Sequence, residues 1–233
     1  METGKIAVVT GASRGLGSVF ARVLAEEGYT VALSGRNVEG LARVAARLPG
    51  PSFAYPLDVG DSGSVAAFRD AVLERFGRLD VLVNNAGIGI FKRLEEFSPE
   101  EVDEIFRVNV RGAWAVTVAF LPQLKAARGW VMMISSDVST RTFPTGGPYA
   151  ASKFALRALA RTLQQENPEL RVLELRPGAV DTSFAGSTPG APGKEWFLQP
   201  DAVAEAVRFA LRLPPQARLE ELVLRSSLQA PEY

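Results

Sequence analysis

The sequence predicts a single α/β domain in which seven parallel strands form a doubly wound sheet with helices on both faces. Three observations predict this fold class. Short apolar runs alternate with amphipathic stretches along the whole chain, the apolar runs are continuous, and no repeat or linker divides residues 1–233. Continuous apolar runs are typical of parallel strands that are buried on both faces of the sheet. The length of 233 residues fits one hydrophobic core.

The first half of the chain reads as alternating strands and helices. The apolar run at 6–10 predicts the first strand, and a Gly-rich turn then opens a helix over 15–27. A second apolar run predicts a strand at 29–34, which is followed by an amphipathic helix over 38–48. A short strand at 53–55, a helix over 64–76 and a strand at 79–83 complete this half.

The second half begins with a helix-start signature. Ser98 is followed by Pro99 and, three residues after the serine, by Glu101, which predicts a capped helix running to about residue 125 with bends near Gly112 and Pro122. Apolar runs predict strands at 130–135, 170–175 and 222–224, and amphipathic stretches predict helices at 149–165 and 201–211. The remaining stretch, 182–200, is rich in Pro and Gly but too apolar for a linker, so we predict that it is a substrate lid.

Composition excludes several classes of protein. The 26 basic and 26 acidic residues give no net charge, unlike most nucleic-acid-binding or disordered chains. Neither Cys nor His is present, so we expect no disulfide, thiol nucleophile or metal site, and acid–base chemistry must use Tyr, Lys, Asp or Glu. The opening METGKIAVVTG has too short an apolar run for a signal peptide, and no run reaches the ~20 residues of a membrane span. We therefore expect a cytoplasmic protein with no nucleic-acid or membrane partner.

The first strand leads into a glycine-rich turn, TGASRGLG at 10–17. Glycines let the backbone approach a pyrophosphate, and the N–H groups that open the following helix attract the anion. The spacing is G-x-x-x-G-x-G rather than the commoner G-x-G-x-x-G. The position after a strand and before a helix favours phosphate binding, although a tight turn that requires positive φ would use the same glycines.

Several further motifs follow in a characteristic order. They are Asp58-Val59, NNAG at 84–87, Asn109, Ser136, Tyr149-x-x-x-Lys153 and PGAVDT at 177–182. Together with the glycine-rich turn, this order and spacing resembles the short-chain dehydrogenase/reductase family over nearly the whole chain. The resemblance implies a Rossmann-type domain, a nicotinamide cofactor and hydride transfer between a carbonyl and an alcohol.

The end of the second strand indicates which cofactor is bound. NAD sites usually place an acidic residue here for the ribose 2′-hydroxyl, but the sequence is Leu33-Ser34-Gly35-Arg36-Asn37. Arg36 and Arg14 could instead bind a 2′-phosphate, which favours NADP over NAD, unless both are simply solvated surface residues. The resemblance implies cofactor contacts from Gly11, Ser13, Arg14, Gly15, Leu16, Gly17, Arg36, Asp58, Val59, Asn85, Ala86, Gly87, Tyr149, Lys153, Pro177, Gly178, Val180 and Thr182.

Tyr149 and Lys153 are the candidate acid–base pair. Four residues apart on a predicted helix, they share one face. A free tyrosine has a pKa of about 10, and a neighbouring ammonium favours the phenolate, so Tyr149 could act as general base or general acid. The resemblance implies that Lys153 also binds the nicotinamide ribose, that Ser136 binds the substrate oxygen and that Asn109 holds a water. Ser135 remains an alternative to Ser136.

The substrate should lie beside the nicotinamide. Candidate lining residues are Ile88, Val138, Phe143, Pro144 and Phe184, with Trp196 and Phe197 on the lid. Their apolar character favours a carbonyl or secondary alcohol with hydrophobic substituents, although several could simply pack the core. Asp137 and Arg141 could instead recognise a polar group.

The sequence thus predicts an NADP(H)-dependent oxidoreductase that interconverts a small-molecule carbonyl and a secondary alcohol. The family habit implies a homodimer or homotetramer formed through the helices at about 100–125 and 149–165. One alternative is a 3-oxoacyl-[acyl-carrier-protein] reductase, but the chain ends in ELVLRSS at 221–227 rather than the V-[DN]-G-G of those enzymes. Another is a non-catalytic NADP-sensing regulator, for which a degraded Ser-Tyr-Lys set would be expected, whereas this set is intact.

Overall fold

A computed structural model describes residues 4–229 of the chain. Residues 1–3 and 230–233 lie outside this range. The first three of them belong to the segment that was assessed for a signal peptide. The strands of the described range are β1 Ile6–Thr10, β2 Thr30–Gly35, β3 Ser52–Pro56, β4 Val81–Asn84, β5 Trp130–Ile134, β6 Arg171–Pro177 and β7 Glu221–Leu224. The α-helices of that range are α1 Gly15–Glu26, α2 Val38–Ala45, α3 Ser62–Phe76, α4 Pro99–Phe106, α5 Ala113–Ala127, α6 Gly147–Glu166 and α7 Pro200–Leu211.

The seven strands form one parallel sheet in the order β3-β2-β1-β4-β5-β6-β7. This confirms the predicted single α/β domain with a doubly wound sheet. The strand order reverses between β1 and β4, and ligands of such sheets bind at the carboxyl ends of the strands beside this reversal. The loops that follow β1 and β4 therefore meet where a site is expected.

Two apolar cores cover the two faces of the sheet. One includes Phe20 and Leu24 of α1 together with Val203 and Val207 of α7. The other packs α3, α5 and α6 against the opposite face, with Phe68 and Phe120 in edge-to-face contact at 5.8 Å between ring centroids. Because both faces are covered, the strands carry continuous apolar runs, such as the fully buried run of β5.

The structure refines several predicted boundaries. The capped start of α4 is as predicted: Ser98 Oγ accepts from the N–H of Glu101, whose carboxylate accepts from the N–H of Ser98. The long helix expected over about 99–125 is interrupted by a π-helical segment, Arg107–Gly112, and α5 continues through Pro122. A Cβ at Gly112 would lie 2.7 Å from Cγ2 of Val59, so glycine permits this segment to approach the loop after β3.

The second helix is three residues shorter than predicted, because α2 ends at Ala45 and only isolated turns continue to Leu48. The fourth strand begins at Val81 rather than at residue 79. The remaining elements agree with the prediction to within two residues at each end. None of the helices in the described range is both long and apolar enough to cross a membrane.

Candidate active site

A cleft of about 1200 Å³ lies along the carboxyl ends of the strands. It is bordered by the loops that follow β1, β2, β3, β4, β5 and β6 and by the first turns of α6. The predicted cofactor residues that line it are Gly11, Ser13, Arg14, Gly15, Leu16, Arg36, Asp58, Val59, Asn85, Ala86, Gly87, Tyr149, Lys153, Pro177, Gly178, Val180 and Thr182. Gly17 alone of the predicted set is buried behind the lining.

The turn after β1 is built around backbone that only glycine tolerates well. Gly11 and Gly15 adopt φ of +65° and +56°, which is the left-handed region. A Cβ at Gly17 would collide with the carbonyl oxygen of Gly11, so the helix start packs directly on the turn. Asn85, from the loop after β4, joins the two sides of the strand reversal because its Nδ2 donates to the carbonyls of Thr10, at 2.9 Å, and Gly11, at 3.2 Å.

Two arginines that form no ion pair within the described residues border this end of the cleft. Helix α1 starts after Arg14 with no side-chain cap and no acidic residue in its first turn. Arg14 and Arg36 are exposed in the cleft, and neither forms an ion pair within residues 4–229. An uncapped helix N-terminus and two exposed guanidiniums together fit the phosphates of a dinucleotide, including one on the adenosine ribose.

Asp58 lies at the same end of the cleft but is paired. Its carboxylate accepts from the N–H of Gly60 at 2.9 Å and from the guanidinium of Arg107 at 3.1 Å. Burial raises the pKa of Asp58, but these two donors outweigh it, so the carboxyl pKa lies below its ordinary value. Arg107 begins the π-helical segment, and sequence reasoning missed it because the two residues are far apart along the chain.

Tyr149 stands in the first turns of α6, where protein encloses its phenol and part of its surface borders the cleft. Burial raises the pKa of Tyr149 to about 12, and a side-chain hydrogen bond with Ser136 acts in the opposite direction. Ser136 follows β5, and its hydroxyl donates to Asp137 Oδ1 at 3.3 Å and accepts from the N–H of Val138. The phenol and the serine hydroxyl, thirteen residues apart in sequence, are therefore adjacent in the fold.

Lys153 lies one turn further along α6 and is 5 % exposed. Its Nζ donates to the carbonyl of Ile134 at 3.0 Å and lies 5.6 Å from the centroid of the Tyr149 ring. Burial lowers the pKa of the Lys153 ammonium to about 8, although the charge of Glu174 opposes this. Tyrosine and lysine thus share one helix face as predicted, with the lysine buried and the tyrosine half-buried at the cleft.

Asn109 belongs to the π-helical segment and is 1 % exposed. The Asn109 side chain accepts from the N–H of Ile88 at 2.8 Å and donates to the carbonyl of Ile88 at 2.9 Å. It also donates to Ser152 Oγ at 3.0 Å. The Asn109 side chain is therefore occupied in joining the loop after β4 to α6. A Cβ at Gly87 would lie 3.3 Å from its Oδ1, which favours a glycine there without any positive φ.

The neighbouring serines have different partners. Ser135 Oγ donates to Glu174 at 2.7 Å, and Ser139 Oγ donates to the same carboxylate oxygen at 2.8 Å. The other oxygen of Glu174 accepts from Arg157 at 3.0 Å. Ser136 therefore sits between two residues that are tied to one buried carboxylate. A charged residue within the apolar run of β6 is the sequence signal that could have revealed this network.

The apolar candidates border the inner end of the cleft. Ile88, Val138, Phe143 and Phe184 line it, as do Trp196 and Phe197, whereas Pro144 is exposed and is not among the lining residues. Phe91 also lines it, and sequence reasoning missed this residue. The polar candidates are paired: Asp137 accepts from Arg141 at 2.5 Å and forms an ion pair with Arg225 at 3.3 Å.

The stretch after β6 closes one side of the cleft. Val180 pairs with Leu198 in an isolated parallel bridge, and Asp181 accepts from the N–H of Gly190 at 2.8 Å. A short 3₁₀ turn, Phe184–Gly186, points into the cleft between these contacts. Within residues 4–229, no three acidic side chains are grouped so that they could hold a metal ion.

Comparisons with known proteins agree on one family. The family model described as short chain dehydrogenase matches residues 5–191. An uncharacterized oxidoreductase of Staphylococcus epidermidis is 31% identical over 224 residues, which are 95% of this chain and 96% of that protein.

Solved structures share the whole fold. An alcohol dehydrogenase from the archaeon Thermococcus sibiricus, complexed with 5-hydroxy-NADP, is 51% identical with a TM-score of 0.93, and the match covers 98% of this chain and 99% of that one. A 3-ketoacyl-(acyl-carrier-protein) reductase from Brucella melitensis, complexed with NADH, is 30% identical with a TM-score of 0.88, covering 96% and 97% of the two chains.

Proposed function

Because the chain belongs to the short-chain dehydrogenase family, we propose that it is an NADP(H)-dependent oxidoreductase that interconverts a carbonyl and a secondary alcohol. One observation carries the proposal: the half-buried phenol of Tyr149 lies beside both a serine hydroxyl and a lysine, in the same cleft whose other end presents two exposed arginines near a helix N-terminus. The phenol, serine and lysine can move a proton, and the arginines with the helix N-terminus can hold a phosphorylated dinucleotide.

Tyr149 is the proposed acid–base residue. With a pKa near 12, the phenol is protonated at neutral pH and is ready to donate its proton to the oxygen of a carbonyl under reduction. In the opposite direction the phenolate form of Tyr149 must accept the proton of an alcohol, and a positive charge beside the ring favours that ionised form. When bound, NADPH supplies the hydride for reduction and NADP accepts it in oxidation.

Ser136 and Lys153 are the proposed partners of Tyr149. The Ser136 hydroxyl lies beside the phenol and has a single hydrogen, which can turn to donate to the substrate oxygen while negative charge develops there. The Lys153 ammonium lies beneath the Tyr149 ring and can bind a cofactor ribose. For Asn109 we propose an indirect role, since its side chain holds the backbone of Ile88 and its backbone can support a water beside the lysine.

Arg14 and Arg36 are the proposed ligands of the ribose 2′-phosphate. Their charges, and the absence of an acidic residue at the end of β2, support NADP over NAD. The 51% identical alcohol dehydrogenase of Thermococcus sibiricus was solved with 5-hydroxy-NADP, which further supports this preference. We also propose that Asp58 binds the adenine amine and that the loop 177–182 contacts the nicotinamide.

A reductase of 3-oxoacyl-[acyl-carrier-protein] is the second candidate. The similarity to the Brucella melitensis enzyme supports it, and the C-terminal sequence, which lacks the V-[DN]-G-G ending, speaks against it. A non-catalytic regulator is disfavoured because Ser136, Tyr149 and Lys153 are all present and close together.

The lid and the subunit contacts complete the proposal. Residues 182–200 act as a substrate lid, since both ends of the stretch line the cleft. The chain forms a homodimer or homotetramer through α4, α5 and α6, where Trp114, Val118 and Phe154 are exposed although they are large and apolar. Light scattering of the purified protein measures the number of subunits.

The experiment that tests the function follows NADPH oxidation against a panel of carbonyls with the parent and Tyr149→Phe. The panel spans aldehydes, diketones, cyclic ketones, 3-oxo acids and acetoacetyl thioesters. We expect turnover by the parent and at least a hundredfold loss in the variant, because general acid catalysis contributes roughly 10²–10⁴-fold. A preference for thioesters would favour the second candidate, and equal rates for parent and variant would refute the proposed role of Tyr149.

A further inference from the structure

Two phenylalanines contact the Tyr149 ring, and a third packs against one of them. Phe91 meets it edge-to-face, with centroids 5.3 Å apart and ring planes at 83°, and Phe184 lies 5.8 Å from it. Phe143 lies 5.7 Å from Phe91, and Phe184 lies 6.5 Å from Phe91. These spacings are those of interacting aromatic rings. We call Phe91, Phe143, Phe184 and Tyr149 the aromatic cluster.

The aromatic cluster is assembled from separate parts of the chain. Phe91 comes from the loop after β4, Phe143 from the loop before α6, and Phe184 from the 3₁₀ turn after β6. Two glycines make room for it. A Cβ at Gly89 would lie 2.7 Å from the ring of Phe184 and 2.9 Å from that of Phe91, and a Cβ at Gly146 would collide with the ring of Phe143.

The cluster is not a closed core. Phe91 is 43% exposed and Phe184 is 37% exposed. Both side chains line the cleft. Burying such rings against another apolar group is favourable by about 25 cal/mol per Å² of surface removed from water. The cluster therefore presents aromatic surface that remains available beside the phenol of Tyr149.

We propose that the aromatic cluster is the binding site for an aromatic substituent of the substrate, so that the enzyme acts on carbonyls carrying an aryl group beside the reacting carbon. This inference rests on the proposed function, because Tyr149 connects the cluster to the reacting oxygen. An aryl ring on that carbon would lie next to the phenol and contact Phe91 and Phe184.

The chemistry of the cluster favours an aryl group over polar alternatives. Tilted and edge-to-face rings gain from the aromatic quadrupole as well as from burial, and a further flat ring extends this arrangement. A polyhydroxylated or charged substituent would lose hydrogen bonds to water and find only carbon atoms in these three side chains. A short aliphatic group would leave most of the exposed ring surface uncovered.

The test compares two diketones with NADPH: 1-phenyl-1,2-propanedione and 2,3-butanedione. We expect the parent to prefer the phenyl compound at least tenfold in kcat/KM, and Phe91→Ala to lower that preference about tenfold, because one aromatic contact is worth about this factor. Phe209→Ala is the matched control, since this phenylalanine is exposed on α7 and does not line the cleft. The control should retain the preference of the parent.

A second measurement needs no turnover. Binding of acetophenone to the protein with NADPH present is followed by saturation-transfer NMR, and Phe91→Ala should weaken it about tenfold. If acetophenone binding depends on Phe91 but no carbonyl is reduced, the proposed function fails and the aromatic site stands. If carbonyls are reduced but the parent does not prefer the phenyl compound, or if Phe91→Ala leaves that preference unchanged, the aromatic site is overturned and the proposed function stands.

Discussion

Replacing Glu174 by Gln perturbs a buried charge directly behind the proposed active site. The Glu174 side chain is 2% exposed, and its three donors are Ser135 at 2.7 Å, Ser139 at 2.8 Å and Arg157 at 3.0 Å. A glutamine can still accept from both serines with its single oxygen. Its NH₂ group, however, must face the Arg157 guanidinium, which is itself a donor.

The magnitude follows from these contacts. Loss of a charge-assisted hydrogen bond costs about 1.5–3 kcal/mol, and removing one partner of a buried ion pair costs about 3–5 kcal/mol. Arg157 keeps Glu221 as a second partner, at 2.8 Å, so we expect the lower end of that range. A loss of about 3 kcal/mol in the free energy of unfolding lowers Tm by roughly 6–12 °C in a chain of this size.

The assay is urea unfolding at one fixed protein concentration, because subunit association also contributes to apparent stability. Glu220→Gln is the matched control, since this glutamate is exposed and accepts no side-chain hydrogen bond within the described residues. The control should change stability by less than about 0.5 kcal/mol. If Glu174→Gln changes the free energy of unfolding by less than about 1 kcal/mol, the reasoning from buried charge is refuted.

Two further predictions concern the cofactor site and the buried lysine. Arg36→Leu should raise KM for NADPH about 10- to 100-fold while leaving KM for NADH unchanged, because only NADPH carries the 2′-phosphate. Arg43→Leu, on α2, is the control. Equal changes in KM for both cofactors would contradict the assignment of Arg36 to the 2′-phosphate. Because burial depresses the pKa of Lys153 to about 8, the unfolded chain binds more protons than the folded chain between pH 8 and the ordinary lysine pKa of about 10.4. The stability of the parent relative to Lys153→Met should therefore rise by roughly 2 kcal/mol from pH 8 to pH 10, as urea titrations at the two pH values measure. A flat or falling difference would exclude a lowered pKa of Lys153 in the folded chain.

Much of the fold follows from local sequence patterns. Continuous apolar runs identify the strands of a sheet that is covered on both faces, and Ser98 with Glu101 identifies the start of α4. The π-helical segment Arg107–Gly112 was expected only as a bend. Its contacts, such as that of Gly112 with Val59, join residues that are distant in sequence.

Part of the candidate site also follows from the sequence. The glycines of the turn after β1 are required by positive φ at Gly11 and Gly15, which any glycine-rich turn at a strand end would suggest. Tyr149 and Lys153 share a helix face because they are four residues apart. The roles assigned to them remain proposals, although the structure brings both residues to the cleft.

The sequence by itself determined the α/β class, the strand runs, the glycine-rich turn after β1 and the spacing of the tyrosine and lysine, since each depends on a pattern of residues that are close in sequence. Tertiary structure alone decided that Asp58 pairs with Arg107, that Glu174 lies behind Ser136 and that Phe91 contacts Tyr149. Such contacts join residues from different loops and strands. No local periodicity encodes them, because the register of the sheet and the packing of the helices bring the partners together only once the whole domain has folded.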